Sequence, residues 1–191
     1  MTSHHDVQPD PETATRRWLY NFVIAHDICP FARREFDADR VRYCRVSGHD
    51  TEALLQRLIE ECRHLDADAH TATTLLIVTP GLEVFEDYLD ALALAERLMQ
   101  LEGYEGVYQL ASFHPDYRFG DAPADDPANL TNCSPFPVLH LLREAQVEAA
   151  LQRFANPERI PERNISLLRD RGHEWWRNIM QTCCDIPPDR A

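Results

Sequence analysis

At 191 residues the chain is long enough to bury one sizeable core, and its net charge of −13, from 32 acidic residues against 19 basic ones, sets it against a polyphosphate partner. All 19 basic residues are arginines scattered along the chain, so no lysine is available for a Schiff base or a Walker-type phosphate loop. No apolar run approaches the roughly 20 residues that cross a bilayer, and Met1 to Arg17 lacks the apolar stretch of a secretory signal; the expectation is a soluble, cytoplasmic protein without membrane or nucleic-acid partners.

In chain order, residues 1–11 read as a disordered leader, residues 12–180 as a single α/β domain and residues 181–191 as a flexible tail. A helix begins near Pro11, carries Trp18, Phe22 and Ala25 on one stripe, and stops before Cys29-Pro30, because the residue ahead of a proline is driven from the α region. Val41 to Val46 alternates as a half-exposed edge strand does, and Thr51 to Leu65 follows with helical spacing. Thr73 to Thr79 is continuously apolar or β-branched, as in a central strand buried on both faces. A long helix from about Val84 to Leu101 closes on Gly103, and Gly106 to Ser112 reads as the next strand. After an exposed excursion from Asp121 to Asn129, the spacing predicts a helix over Phe136 to Phe154 and another around Ile165 to Met180. This order predicts an α/β fold: a small, mostly parallel sheet of about three strands, with flanking helices and extra C-terminal helices.

Candidate chemistry falls in two clusters. Phe113-His114-Pro115-Asp116-Tyr117 stands at the carboxyl end of the third strand, where open α/β sheets place their ligands. On the predicted helix, His140 and Glu144 share one face at i, i+4 and reach a common atom. With His114 and Asp116 they make a mixed nitrogen and oxygen set that favours iron, manganese or zinc, or an acid/base centre in which the histidines are bases and the carboxylates orient them. The bland alternatives are a packed His114, a turn-capping Asp116, a buried and satisfied His140, and a Glu144 paired with Arg143 or water. Tyr117 either closes over the pocket or belongs to the core.

The six cysteines include no C-x-x-C pair, and Cys44 and Cys62 read as buried thiols. Cys29 follows a helix and lacks a helix N-terminal field, whereas Cys133 precedes one; the competing reading of that second stretch is a cap supplied by Asn132 or Ser134.

Cys29-Pro30-Phe31-Ala32, Gln109 to Tyr117, Thr131 to Glu144 and Ile160 to Ile165, in this order, resemble the motifs of DUF1415, a bacterial family named for its unknown function. The resemblance spans about residues 14 to 172 and marks Cys29, His114, Asp116, Asn132, His140, Arg143 and Glu144. It departs at Cys133, where the family pattern has an arginine, which tells against Cys133 as a shared nucleophile. Three classes of function follow as expectations. One is an enzyme with the metal or acid/base centre above, acting on a small anionic molecule held by Arg143, Asn132 and Tyr117. The second is a ligand- or haem-binding module with Cys29 or a histidine as axial ligand. The third is a thiol redox protein pairing Cys29 with Cys133.

Overall fold

A computed structural model describes residues 10–185; most of the proposed leader and the end of the proposed tail lie outside them. Helix α1 (Pro11–Trp18) starts at Asp10, whose carboxylate accepts from Thr13 N–H at 2.9 Å, and has proline where no amide donor is needed. It continues as a π-helical segment, Leu19–Ile24, that buries Phe22 and Val23 beside Trp18. After the Cys29-Pro30 turn comes a short α2 (Ala32–Asp37), then β1 (Val41–Val46), α3 (Thr51–Ala67), β2 (Thr73–Val78), α4 (Phe85–Leu101) and β3 (Tyr108–Phe113). The chain ends in β4 (Val138–Arg143), α5 (Glu144–Arg153) and α6 (Ile160–Cys184). Helix α6 bends at Gly172, whose φ of 73° favours glycine, and it runs through residues 181–184, where a tail was expected to begin.

The sheet corrects the expected topology. It has four strands in the order β1-β2-β4-β3; β1 and β2 are parallel, and β4 runs antiparallel to both β2 and β3. The predicted helix from Phe136 therefore does not form. Val138 to Arg143 is an apolar run covered on both faces, which has no alternation to distinguish it from a buried helix. Pro135 and Pro137 precede it without amide donors, and Pro137 O accepts from Val78 N–H at 2.8 Å, so the chain enters the sheet beside the end of β2.

One face of the sheet, with Cys44, Leu76, Val78, Leu139 and Leu141, packs on α3 and α4. The other, with Leu75, Ile77, Phe113 and Val138, packs on α1, the π-helical segment and α6. The fully buried Tyr88 of α4 joins three elements: its hydroxyl donates to Val138 O at 2.8 Å and accepts from Phe113 N–H at 3.2 Å. At the opposite end of β4, Arg143 reaches the last turn of α3. Its Nη2 donates to Leu65 O, to Asp68 O at 3.1 Å and to Thr71 O at 3.2 Å, and Nη1 donates to Tyr108 Oη at 3.2 Å. The Leu65 and Asp68 carbonyls lie at the end of α3, where intrahelical donors run out and positive charge is favoured, and Thr71 O lies in the loop beyond it.

Arg143→Ala should therefore destabilise the fold by about 3 kcal/mol, the upper end for charge-assisted hydrogen bonds, read as a lower urea midpoint. Arg143→Lys should recover less than half of that, since an ammonium cannot reproduce the guanidinium fork.

Candidate functional site

The two sequence clusters meet through their backbones. Asn132 O accepts from His114 N–H at 3.2 Å, and Asn132 Nδ2 donates to Ser112 O at 3.1 Å, which extends the end of β3 by an irregular rung. Asn132 closes a 3-10 turn, Pro127–Asn132, and Cys133 N–H caps it by donating to Leu130 O. The expected helix N-terminus beside Cys133 is absent. Burial pushes the Cys133 thiol up to about 12, and its Sγ lies 3.5 Å from Asn129 O.

His114 is fully buried between Phe85 and Tyr88, with ring centroids 5.2 and 5.1 Å away. Its Nδ1 accepts from Asp116 N–H at 3.0 Å, so Nε2 carries the proton and donates to Leu82 O, also at 3.0 Å. Both nitrogens are occupied, and burial holds the ring pKa below the usual imidazole range. Asp116 is exposed, and Tyr117 packs on Phe85 and Phe119.

His140 lies on the opposite face of the sheet. It is central in β4, paired in register with Leu75 and Ala111, and its ring meets Phe113 and the side facing α1. Glu144 is four residues further along an extended chain, roughly 13 Å away at strand rise, in an open cleft between β3 and α4. The helical i, i+4 contact does not exist. The four proposed ligands His114, Asp116, His140 and Glu144 thus do not converge, and among the described residues no group of three or more His, Cys, Asp or Glu side chains is placed to hold a metal ion. Arg143, expected to hold an anion, donates from its Nη atoms to carbonyls at the α3 end and to Tyr108 Oη, while its buried Nε has no partner among the described residues.

What the structure does bring together is His140 and Cys29, around a cavity of about 280 Å³. Its floor is the sheet (Thr73, Leu75, His140), one wall is Cys29, Phe31 and Glu35 at α2, and the cover is α5, through Gln146, Val147 and Ala150. No residue of α5 is buried, so this helix rests on the cavity and not in a core. Thr73 Oγ1 donates to Leu141 O, which makes it the acceptor for His140 Nε2–H at 2.7 Å. His140 Nδ1 is left with a lone pair and no partner among the described residues, yet it is not sealed from the cavity. The ring sits deep in the fold with one edge open to the cavity, and desolvation lowers its pKa to about 4. Burial likewise pushes the Cys29 thiol up, against the weaker pull of the Phe31 and Ala32 amides. Cys29 forms part of the wall, in surroundings that disfavour its thiolate. All described cysteines are free.

Glu35 has Arg40 Nη1 at 3.0 Å from its Oε2, close enough to balance charge but outside hydrogen-bond geometry, so the buried oxygen keeps an unused acceptor. Neither Thr73 nor Glu35 stood out in the sequence. The double threonine opening β2, polar in an otherwise apolar run, was the available signal for the first; nothing marked the second. A second cavity, of about 610 Å³, adjoins the first at Cys29 and is bordered by Phe113, Asn132 and, from α6, Ile160 and Asn164. The four sequence motifs therefore all reach the walls of two neighbouring cavities.

The model of DUF1415, a family described as proteins of unknown function, matches residues 10–178, and the chain belongs to that family. No curated protein and no solved structure matches it. No helix among the described residues is long and apolar enough to cross a membrane.

The depressed pKa of His140 has a measurable consequence. Below about pH 6.5 the unfolded chain takes up a proton that the folded ring refuses until about pH 4, so the full stabilisation present above pH 6.5 is lost as pH falls through that window. Urea midpoints should fall between pH 7 and pH 5 by an amount equivalent to about 2 kcal/mol, with His114 acting in the same direction. His140→Leu should remove most of that slope.

Proposed function

We propose that the chain binds a small organic molecule in the cavity beneath α5, where His140 Nδ1 accepts a hydrogen bond from a donor group on the ligand. The observation that carries this reading is the neutral imidazole with an unbonded Nδ1 on the wall of an otherwise mostly apolar cavity. Ligand sites combine apolar walls with a few placed polar groups and span roughly 300–1,000 Å³. At about 280 Å³ this one falls just below that range. Taking water's share of liquid volume, about 30 Å³, as the size of a heavy atom, it holds about nine of them.

Selectivity follows from the cost of leaving a buried acceptor unpaired, roughly 1–3 kcal/mol. A hydroxyl or amide on the ligand removes that cost, and a hydrocarbon does not. Binding is favoured over general-base catalysis because a ring with a pKa of about 4 holds a proton too weakly to draw one from most donors near neutral pH. Metal ligation is not part of the reading, since among the described residues no group of three or more His, Cys, Asp or Glu side chains is placed to hold a metal ion.

Matched titrations with 4-ethylphenol and ethylbenzene test it. The native chain should bind the phenol about tenfold tighter, equivalent to about 1.4 kcal/mol, and His140→Leu should abolish the preference. Equal affinity in the native chain, or a preference that survives His140→Leu, would remove the proposal.

A further inference from the structure

Beside the cavity beneath α5 lies an outer chamber of about 380 Å³ that shares Phe31, Glu35, Gln146 and Ala150 with it. The outer chamber reverses the sign of the chain's charge. It is lined by Arg34, Arg40 and Arg153, with Glu35 as its one acid, in a protein whose net charge is −13. Arg40 is spent on Glu35 and on His70 O, to which its Nε donates at 2.7 Å. The other two are uncommitted: the Arg34 side chain is 75% exposed and approaches Glu35 only at 3.9 Å, and Arg153 is exposed with no partner among the described residues. A mostly apolar inner chamber beside a cationic rim suits an amphiphile with one charged end.

We infer that the ligand is an organic acid whose apolar body, with its hydrogen-bond donor, fills the inner chamber while its carboxylate sits in the outer one between Arg34 and Arg153. This rests on the binding reading above and adds the charge and polarity of the ligand to it. Arginine suits the role because its planar fork meets a carboxylate with two parallel hydrogen bonds. The Nη atoms of Arg143, the arginine within the family motif, are already bonded to carbonyls and to Tyr108, so the anion contact falls to arginines outside that motif. Attraction by an exposed rim is weakened by salt, whereas the contact with His140 is not.

The test compares 3-(4-hydroxyphenyl)propanoate with 4-ethylphenol, the same body without its carboxylate, by calorimetric titration of the full chain at low and high sodium chloride. The acid should bind about tenfold tighter at low salt, and the ratio should shrink as salt rises. In Arg34→Glu/Arg153→Glu, two exposed changes whose folding is checked by thermal melting, the ratio should fall to one or below. Equal affinity of acid and phenol for the native chain overturns the inference and leaves the cavity reading standing. Failure of both compounds to bind removes the two together. A preference for the acid that survives the double substitution overturns its assignment to Arg34 and Arg153.

Discussion

Strand β4 hydrogen-bonds along both of its edges, antiparallel to β2 on one side and to β3 on the other, and the remaining architecture is arranged around that wedge. Without it β3 has no strand partner, and α4 loses the carbonyl that receives Tyr88. Because a strand sends alternate side chains to opposite faces, the run His140-Leu141-Leu142-Arg143 serves two layers. His140 opens onto the cavity beneath α5, Leu141 enters the core under α3 and α4, and Arg143 clamps the end of α3. Neighbours in one motif thus have unrelated tasks.

Two histidines, His114 fully buried and His140 half-buried, show what separates a packing residue from a site residue. His114 donates from one nitrogen and accepts at the other, so its burial is compensated and its chemistry exhausted. His140 has the same neutral charge state, but only Nε2 is satisfied, by a threonine that is itself fixed to a backbone carbonyl. The difference is one lone pair in a low-dielectric space. That residual acceptor makes the cavity selective as well as hollow.

Most of the framework was legible in the sequence because its signals are local. The alternation of Val41 to Val46 and the uninterrupted Thr73 to Val78 gave an edge and a central strand, and the stripes of α3 and α4 gave helices within a residue or two of those observed. The last strand was not legible. Leu139, His140, Leu141 and Leu142 satisfy helical spacing and a doubly covered strand equally well, and the choice is made by β2 and β3, far away in sequence. The site inherited that error. Read on a helix, His140 and Glu144 share a face; on the extended chain they part, and the metal set goes with them. Cys29 and His140 were visible as candidates, but their meeting depends on α2 and α5 closing over the sheet, and the polar partner Thr73 looked like any β-branched strand residue.

The position of β4 also has a consequence in time. Translation delivers β1 and β2, which can pair at once across the α3 crossover, and then β3, whose place is one strand removed from β2. Until residues 138–143 leave the ribosome, β3 has an apolar face and two unsatisfied edges, the condition under which nascent chains pair with the wrong neighbour or with each other. The last strand in sequence thus takes an interior place in the sheet, between β2 and β3, and not a place at its rim. The cavity, floored by that same strand and covered by α5, cannot exist before both have been synthesised.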